Sequence, residues 1–146
     1  MDPKVRVSTL IRSHDDPDKV KDSVNSIFPD WEPSNYPERF SFPVTRSSEV
    51  ISAEVQSIDG LLSILRENRV LDTALDAMAM EAHKGGTVFY LSRQSASIGK
   101  VSFVLEEYAL GGLIEVTLEG EDIEIWLEQQ TWHTGRERVP REVGDE

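Results

Sequence analysis

The fold is decided at residues 82–105, where the chain reads AHKGGTVFYLSRQSASIGKVSFVL. The Gly85-Gly86 pair predicts the end of a helix, because glycine commonly terminates helices. Alternation of apolar side chains around Phe89 predicts a strand, and the alternation returns around Phe103 after a polar connection. The stretch therefore predicts a helix end, a strand, a short connection and a second strand.

The residues that open the chain predict a strand, a helix and a second strand. Alternation over residues 4–12 indicates a half-buried strand. Residues 15–18 read DDPD, which supplies an N-cap and a first-turn proline for a helix that runs towards Pro29. Residues 29–48 hold four prolines with aromatic residues between them, so we expect a long connection here. Residues 51–56 alternate again and predict the second strand.

Two helices are predicted between this second strand and the stretch quoted first. Apolar residues recur at helical spacing over residues 58–65 and again over 71–82, but the two stripes do not share a phase. The break predicts a hinge at residues 67–69. Asn68 is the residue expected to take the left-handed conformation there, and Asp72 is expected to cap the second helix.

The residues after position 105 predict one more strand and one more helix. Apolar residues alternate at Ile114, Val116 and Leu118, and the preceding Gly111-Gly112 predicts that this strand forms a hairpin with the strand before it. Residues 121–131 fit a helix or a strand, and we favour the helix. The resulting order is β-α-β-α-α-β-β-β-α, which indicates an α+β domain with a mainly antiparallel sheet and helices on one face.

Composition limits the class of protein. The chain has 146 residues, 27 of them acidic against 15 Lys and Arg, a formal net charge of −12 and no cysteine. We expect one domain over residues 1–135 and a mobile charged tail over residues 136–146. We expect a cytoplasmic protein, because no signal peptide is visible and no apolar run approaches the ~18 residues of a membrane helix. The acidity fits either adaptation to high salt or an ordinary acidic protein.

No motif with catalytic or metal-binding spacing is visible. His14, His83 and His133 lie on three different predicted elements, so no metal site is expected. The two Gly-Gly pairs lack the context of a phosphate-binding loop, and no serine stands in a nucleophile elbow. We therefore expect a protein without enzymatic activity and without a cofactor, although carboxylates from distant elements leave an enzyme open as a third alternative.

Residues 82–105 also carry the best functional signal, because they contain no Asp or Glu in a strongly acidic chain. An interaction surface would keep such a local gap in negative charge. The residues predicted to form a surface for RNA or for a protein partner are Arg93, Gln94, Ser95 and Lys100, with Arg66, Arg69 and Lys84 as flanks. The simpler alternative is that residues 92–98 form a one-turn helical connection in which Ala96 and Ile98 pack inward.

Several stretches resemble the uncharacterised archaeal family UPF0201. They read DPDKV at residues 16–20, IFPD at 27–30, LRENRVLDTA at 65–74 and TVFYLSRQSASIGKVSF at 87–103. The resemblance covers residues 3–135, with Ser92 and Ser95 as departures from the family pattern. It implies a fold similar to the RNA-binding fold of the large-subunit ribosomal protein that contacts 5S rRNA. It implies no catalytic residue, because the family has no established activity.

Two functions therefore stand ahead of an enzyme. The first is a non-enzymatic RNA-associated module that uses the connection from Arg93 to Lys100. The second is a protein-interaction or self-association module, a monomer or weak homodimer in which residues 82–105 form the interface, since interface centres are depleted in Asp and Glu.

Overall fold

Five helices and a five-stranded sheet make up the part of the chain that the structure, a computed structural model, describes: residues 2–34, 36, 48–104 and 112–134. In chain order the elements are β1 (Lys4–Ile11), α1 (Pro17–Asn25), β2 (Glu49–Val55), α2 (Asp59–Glu67), α3 (Leu71–Ala79), β3 (Gly86–Ser92), α4 (Arg93–Ala96), β4 (Phe103–Val104), β5 (Leu113–Glu119) and α5 (Ile123–Gln130). This confirms the α+β class. The predicted order lacks only the short helix α4.

The strands are arranged in the order β2-β1-β5-β3-β4, and every neighbouring pair is antiparallel. Val116 of β5 pairs with Val7 of β1 on one side and with Phe89 of β3 on the other. The predicted hairpin between the last two strands is therefore wrong, because β4 pairs with β3 and β5 lies on the far side of β3. Glycines can mark a turn, but they do not choose the strand partner: β5 pairs with β1 and β3, and both of these strands are distant from it in sequence.

One face of the sheet and the apolar faces of the helices form a single core. Val7, Phe89 and Val116 are in register on this face and are buried, and Leu65 of α2 and Met78 of α3 belong to the same cluster. Side chains in a strand point alternately to opposite faces, so the residues that neighbour these in sequence lie on the other face. The core thus fixes α2 and α3 against the sheet that contains β3 and β4, the two strands formed by residues 82–105.

The hinge between α2 and α3 is present, but its left-handed residue is Arg69 (φ 57°) rather than Asn68 (φ −86°). The amide of Val70 donates to the carbonyl of Leu65 (3.1 Å), and the amide of Arg69 donates to that of Arg66 (3.1 Å). These two bonds form a Schellman motif, which places the left-handed residue one position after Asn68. The predicted cap is also wrong, because α3 begins after Val70 without a side-chain cap and its Asp72 already lies in the first turn.

The other predicted boundaries are mostly confirmed. Asp16 caps α1 by accepting from the Asp18 amide (3.0 Å), and residues 123–130 are helical as favoured. Gly85-Gly86 does not end α3, which stops at Ala79; Gly86 begins β3. A Cβ there would collide with the Leu118 carbonyl oxygen, so glycine permits the close approach of β5. The tail over residues 136–146 lies outside the described residues, as do Leu105, Gly111 and most of the connection after Pro33.

Candidate binding surfaces

Arg93, the first predicted surface residue, is buried instead. Its side chain contacts β1 and the loop after it, and the residue is 7% exposed. Its guanidinium donates through Nη1 to the Thr9 hydroxyl (2.9 Å) and the Leu10 carbonyl (2.6 Å), and through Nη2 to the Asp15 carboxylate (3.2 Å). These bonds tie the start of α4 to β1 and to the loop after it. Contact of Arg93 with RNA or a partner stays a prediction, and the burial of Arg93 counts against it.

Asp15 is the partner that sequence reasoning missed, since it lies 78 residues before Arg93. Burial raises the pKa of the Asp15 carboxyl, but hydrogen bonds from Arg12 and the charge of Arg93 outweigh it and hold the pKa below its usual value. Burial also lowers the pKa of Arg93, against the opposing effect of Asp15. The pair thus stabilises the ionised form of Asp15, whereas burial of the Arg93 guanidinium carries a desolvation cost.

The connection around α4 matches the simpler prediction in part. Ser92 caps α4 by accepting from the Ser95 amide (3.2 Å), and Ala96 is fully buried as predicted. Ile98 is 69% exposed, so its predicted inward packing is wrong. Gly99 follows in a left-handed conformation (φ 75°) and turns the chain towards β4, leaving Ile98 outside the core.

The other residues predicted to form the surface around Arg93 do not lie in one patch. Gln94 and Lys100 are exposed near the end of β3, whereas Ser95 is half-buried and bonds the Ser102 hydroxyl (2.9 Å). Lys84 precedes the start of β3, and seven residues of strand place it about 20 Å from Arg93. It lines a cavity with Asp122 and Glu124, two carboxylates against its single positive charge.

Arg66 and Arg69 do come together, in a cavity of about 600 Å³ between the hinge and the chain that follows α5. Arg66 donates to the carbonyls of Gln130 (3.3 Å) and Trp132 (3.5 Å), which holds the end of α5 against α2. Across the cavity, His133 Nε2 lies 3.1 Å from the Asp72 carboxylate. Sequence reasoning did not place His133 here, because the contact joins positions 61 residues apart.

An apolar groove lies beside this cavity, between α3 and the β3–β4 edge of the sheet. Two adjoining cavities of about 380 and 180 Å³ form it and share Ala77, Met80 and Phe103. Met80 is 55% exposed, which is unusual for a large apolar side chain beside others. The other apolar residues that line the groove include Leu65, Val70, Ala74, Val88, Val101 and Val104. One wall therefore comes from the acid-free stretch.

Two further observations concern the described residues only. No group of three or more His, Asp or Glu side chains there is arranged to hold a metal ion. No helix there is both long and apolar enough to cross a bilayer.

Comparison with known proteins identifies the chain's relatives. No family model matches it. A UPF0201 protein of Sulfolobus acidocaldarius is 30% identical over 135 residues, which are 88% of each chain. A UPF0201 protein of Methanothermobacter thermautotrophicus is 26% identical over 142 residues, 97% of this chain and 98% of that one. A crystal structure of an uncharacterised UPF0201 protein has a TM-score of 0.73 at 25% identity and covers 93% of this chain and 98% of its own. The chain belongs to the archaeal family UPF0201, whose function is unknown.

Proposed function

We propose that this protein is a non-enzymatic binding module and that the groove between α3 and the β3–β4 edge is its protein-binding surface. The observation that carries the proposal is the apolar surface left open there in a chain with a net charge of −12. Val101 and Phe103 on its wall come from the acid-free stretch. Interface centres are enriched in Met and aromatic residues, and Met80 and Phe103 line both parts of the groove.

The charges around the groove favour one kind of partner. Asp76 and Glu81 are exposed at its rim, and the protein as a whole is strongly acidic. The partner we propose is a segment of another protein that presents apolar side chains flanked by Lys or Arg. A second copy of this chain fits less well, because two surfaces of the same negative charge repel each other.

Selection of random displayed peptides on the immobilised protein tests this proposal. Met80→Glu places a charge in the groove, and Val50→Glu is a matched control because Val50 is also 55% exposed but lies on β2. We expect the selected peptides to combine apolar residues with Lys or Arg. Met80→Glu should weaken their binding at least about tenfold, or about 1.4 kcal/mol, while Val50→Glu should leave it unchanged.

Two outcomes would reject the proposal. Peptides that bind wild type and Met80→Glu equally well would show that the groove is not the surface used. Light scattering over a range of protein concentrations checks the second alternative: a dimer that Met80→Glu dissociates would assign the groove to self-association.

RNA association is a second candidate, favoured by one observation. Arg66 and Arg69 share a cavity, as expected if they belonged to one surface. The buried Arg93 and the distant Lys84 count against the larger patch, and −12 of net charge weakens general attraction to phosphate. The likeness to the RNA-binding fold of the ribosomal protein stays a prediction. An anisotropy titration with a short single-stranded RNA tests the candidate, and equal affinity of wild type and Arg69→Asn would reject it.

A further inference from the structure

Arg69 lies at an unusual position in the cavity behind the hinge. It is the left-handed residue of the Schellman motif, so its side chain leaves the chain between the end of α2 and the start of α3. Among the described residues, no hydrogen bond or ion pair engages its guanidinium, whereas Arg66 is held by two carbonyls of the chain after α5. Arg69 is thus a cation that the fold itself does not use.

The charge of this cavity differs from that of the three other cavities described above. Among the described residues that line the cavity, Arg66 and Arg69 accompany one carboxylate, Asp72, which lies 3.1 Å from His133 Nε2. The Lys84 cavity holds more carboxylates than cations, and each part of the apolar groove has an acidic residue and no cation. A cavity with a positive balance in so acidic a protein selects for an anion.

The donors in the cavity suit a phosphate group in particular. A guanidinium can donate two parallel hydrogen bonds to phosphate oxygens, and Thr73 adds a hydroxyl to the lining. Helix α3 has nine residues and begins at the same place without a side-chain cap, which adds the positive end of its dipole. Val70 and Leu71 supply apolar lining for the remainder of a ligand.

We propose that the cavity lined by Arg66, Arg69, Thr73 and His133 binds a phosphate group, carried by a phosphorylated small molecule or by a nucleic acid. Arg69 is the direct ligand and the Thr73 hydroxyl is a second donor, while His133 lies against Asp72 at 3.1 Å. Arg66 is a positioning residue, since its bonds to the Gln130 and Trp132 carbonyls fix the far wall. The volume of about 600 Å³ exceeds what phosphate alone would fill and lies in the range of small-molecule sites.

Calorimetric titration with inorganic phosphate, a nucleoside monophosphate and a short single-stranded RNA tests the inference. Arg69→Asn removes the guanidinium, and asparagine tolerates the left-handed conformation, so the hinge should persist. Arg6→Asn is the control, because Arg6 is an exposed arginine on the sheet paired with Glu54. We expect Arg69→Asn to weaken binding of the phosphate compounds about tenfold or more, with Arg6→Asn within about twofold of wild type.

Amide chemical shifts provide a second readout that does not depend on Arg69. Inorganic phosphate should move the resonances of Leu71, Thr73 and His133 in the wild type, and Met80→Glu in the neighbouring groove should not change this. Binding of the small phosphates without RNA identifies a small molecule as the source. Binding of RNA that inorganic phosphate displaces identifies nucleic acid. The inference is overturned if none of the three probes binds, or if both arginine variants weaken binding equally.

Discussion

Replacing Arg93 by methionine should destabilise the protein far more than replacing an exposed arginine. Methionine replaces the apolar stem of the arginine side chain but donates no hydrogen bond. The Leu10 carbonyl would lose a donor at 2.6 Å, and the Asp15 carboxylate would lose one of its two arginine partners, at 3.2 Å. Removing one partner of a buried ion pair costs about 3–5 kcal/mol, because the other charge stays buried.

Asp15 keeps its bonds from the Arg12 backbone amide (2.8 Å) and side chain, so we expect the lower part of that range, about 3 kcal/mol. For a chain of this length such a loss lowers Tm by roughly 6–12 °C. Urea unfolding followed by tryptophan fluorescence measures it, since Trp31 is fully buried. Arg6→Met, which removes an exposed pair with Glu54, should cost no more than about 1 kcal/mol.

A double-mutant cycle with Asp15→Asn separates the ion pair from the rest of the Arg93 contacts. We expect a coupling free energy between the two positions of about 1–3 kcal/mol. If Arg93→Met costs no more than Arg6→Met, or if the coupling is near zero, then buried Arg93 does not hold α4 to β1 and the loop after it, and the reasoning fails.

Three further predictions concern single positions. The pKa of Asp15 is depressed in the folded protein, so its contribution to stability should be complete above about pH 4 and lost as the pH falls through the folded pKa; urea midpoints of wild type and Asp15→Asn should converge only at acid pH. Gly86→Ala should cost more than about 3 kcal/mol in urea unfolding because of its collision with β5, whereas Gly99→Ala, which has open space, should cost about 1 kcal/mol. Arg69→Gly should leave thermal stability unchanged or raise it by up to about 1 kcal/mol, because φ there is 57°, and a clear loss would contradict the assignment of the left-handed residue.

Local patterns in the sequence predicted most of the elements, because each depends on neighbouring residues. The alternation around Phe89 and the break between α2 and α3 both appear in the structure at the expected places. The position of β5 in the sheet could not be predicted from these local patterns. Its pairing with β1 joins Val5 to Leu118, and no local signal in the sequence specifies which strand β5 pairs with.

The residues of the candidate sites divide in the same way. The acid-free stretch was visible in sequence, but burial of Arg93 and Phe89 accounts for part of it, and only the fold shows which of its residues are exposed. Arg66 and Arg69 were found because they are close in sequence. His133 and Met80 were missed because their importance depends on which distant elements pack beside them.

The place of β1 between β2 and β5 has a consequence for synthesis on the ribosome. β1 leaves the exit tunnel before both of its neighbours and can pair with β2 once that strand emerges, but its other edge stays unpaired until β5, which ends at Glu119, has been made. Until then the nascent chain presents an unpaired strand edge, the kind of surface that invites pairing with other chains. We expect the charged side chains of Lys4 and Arg6 to protect this strand until then, since charge on an exposed edge discourages such pairing.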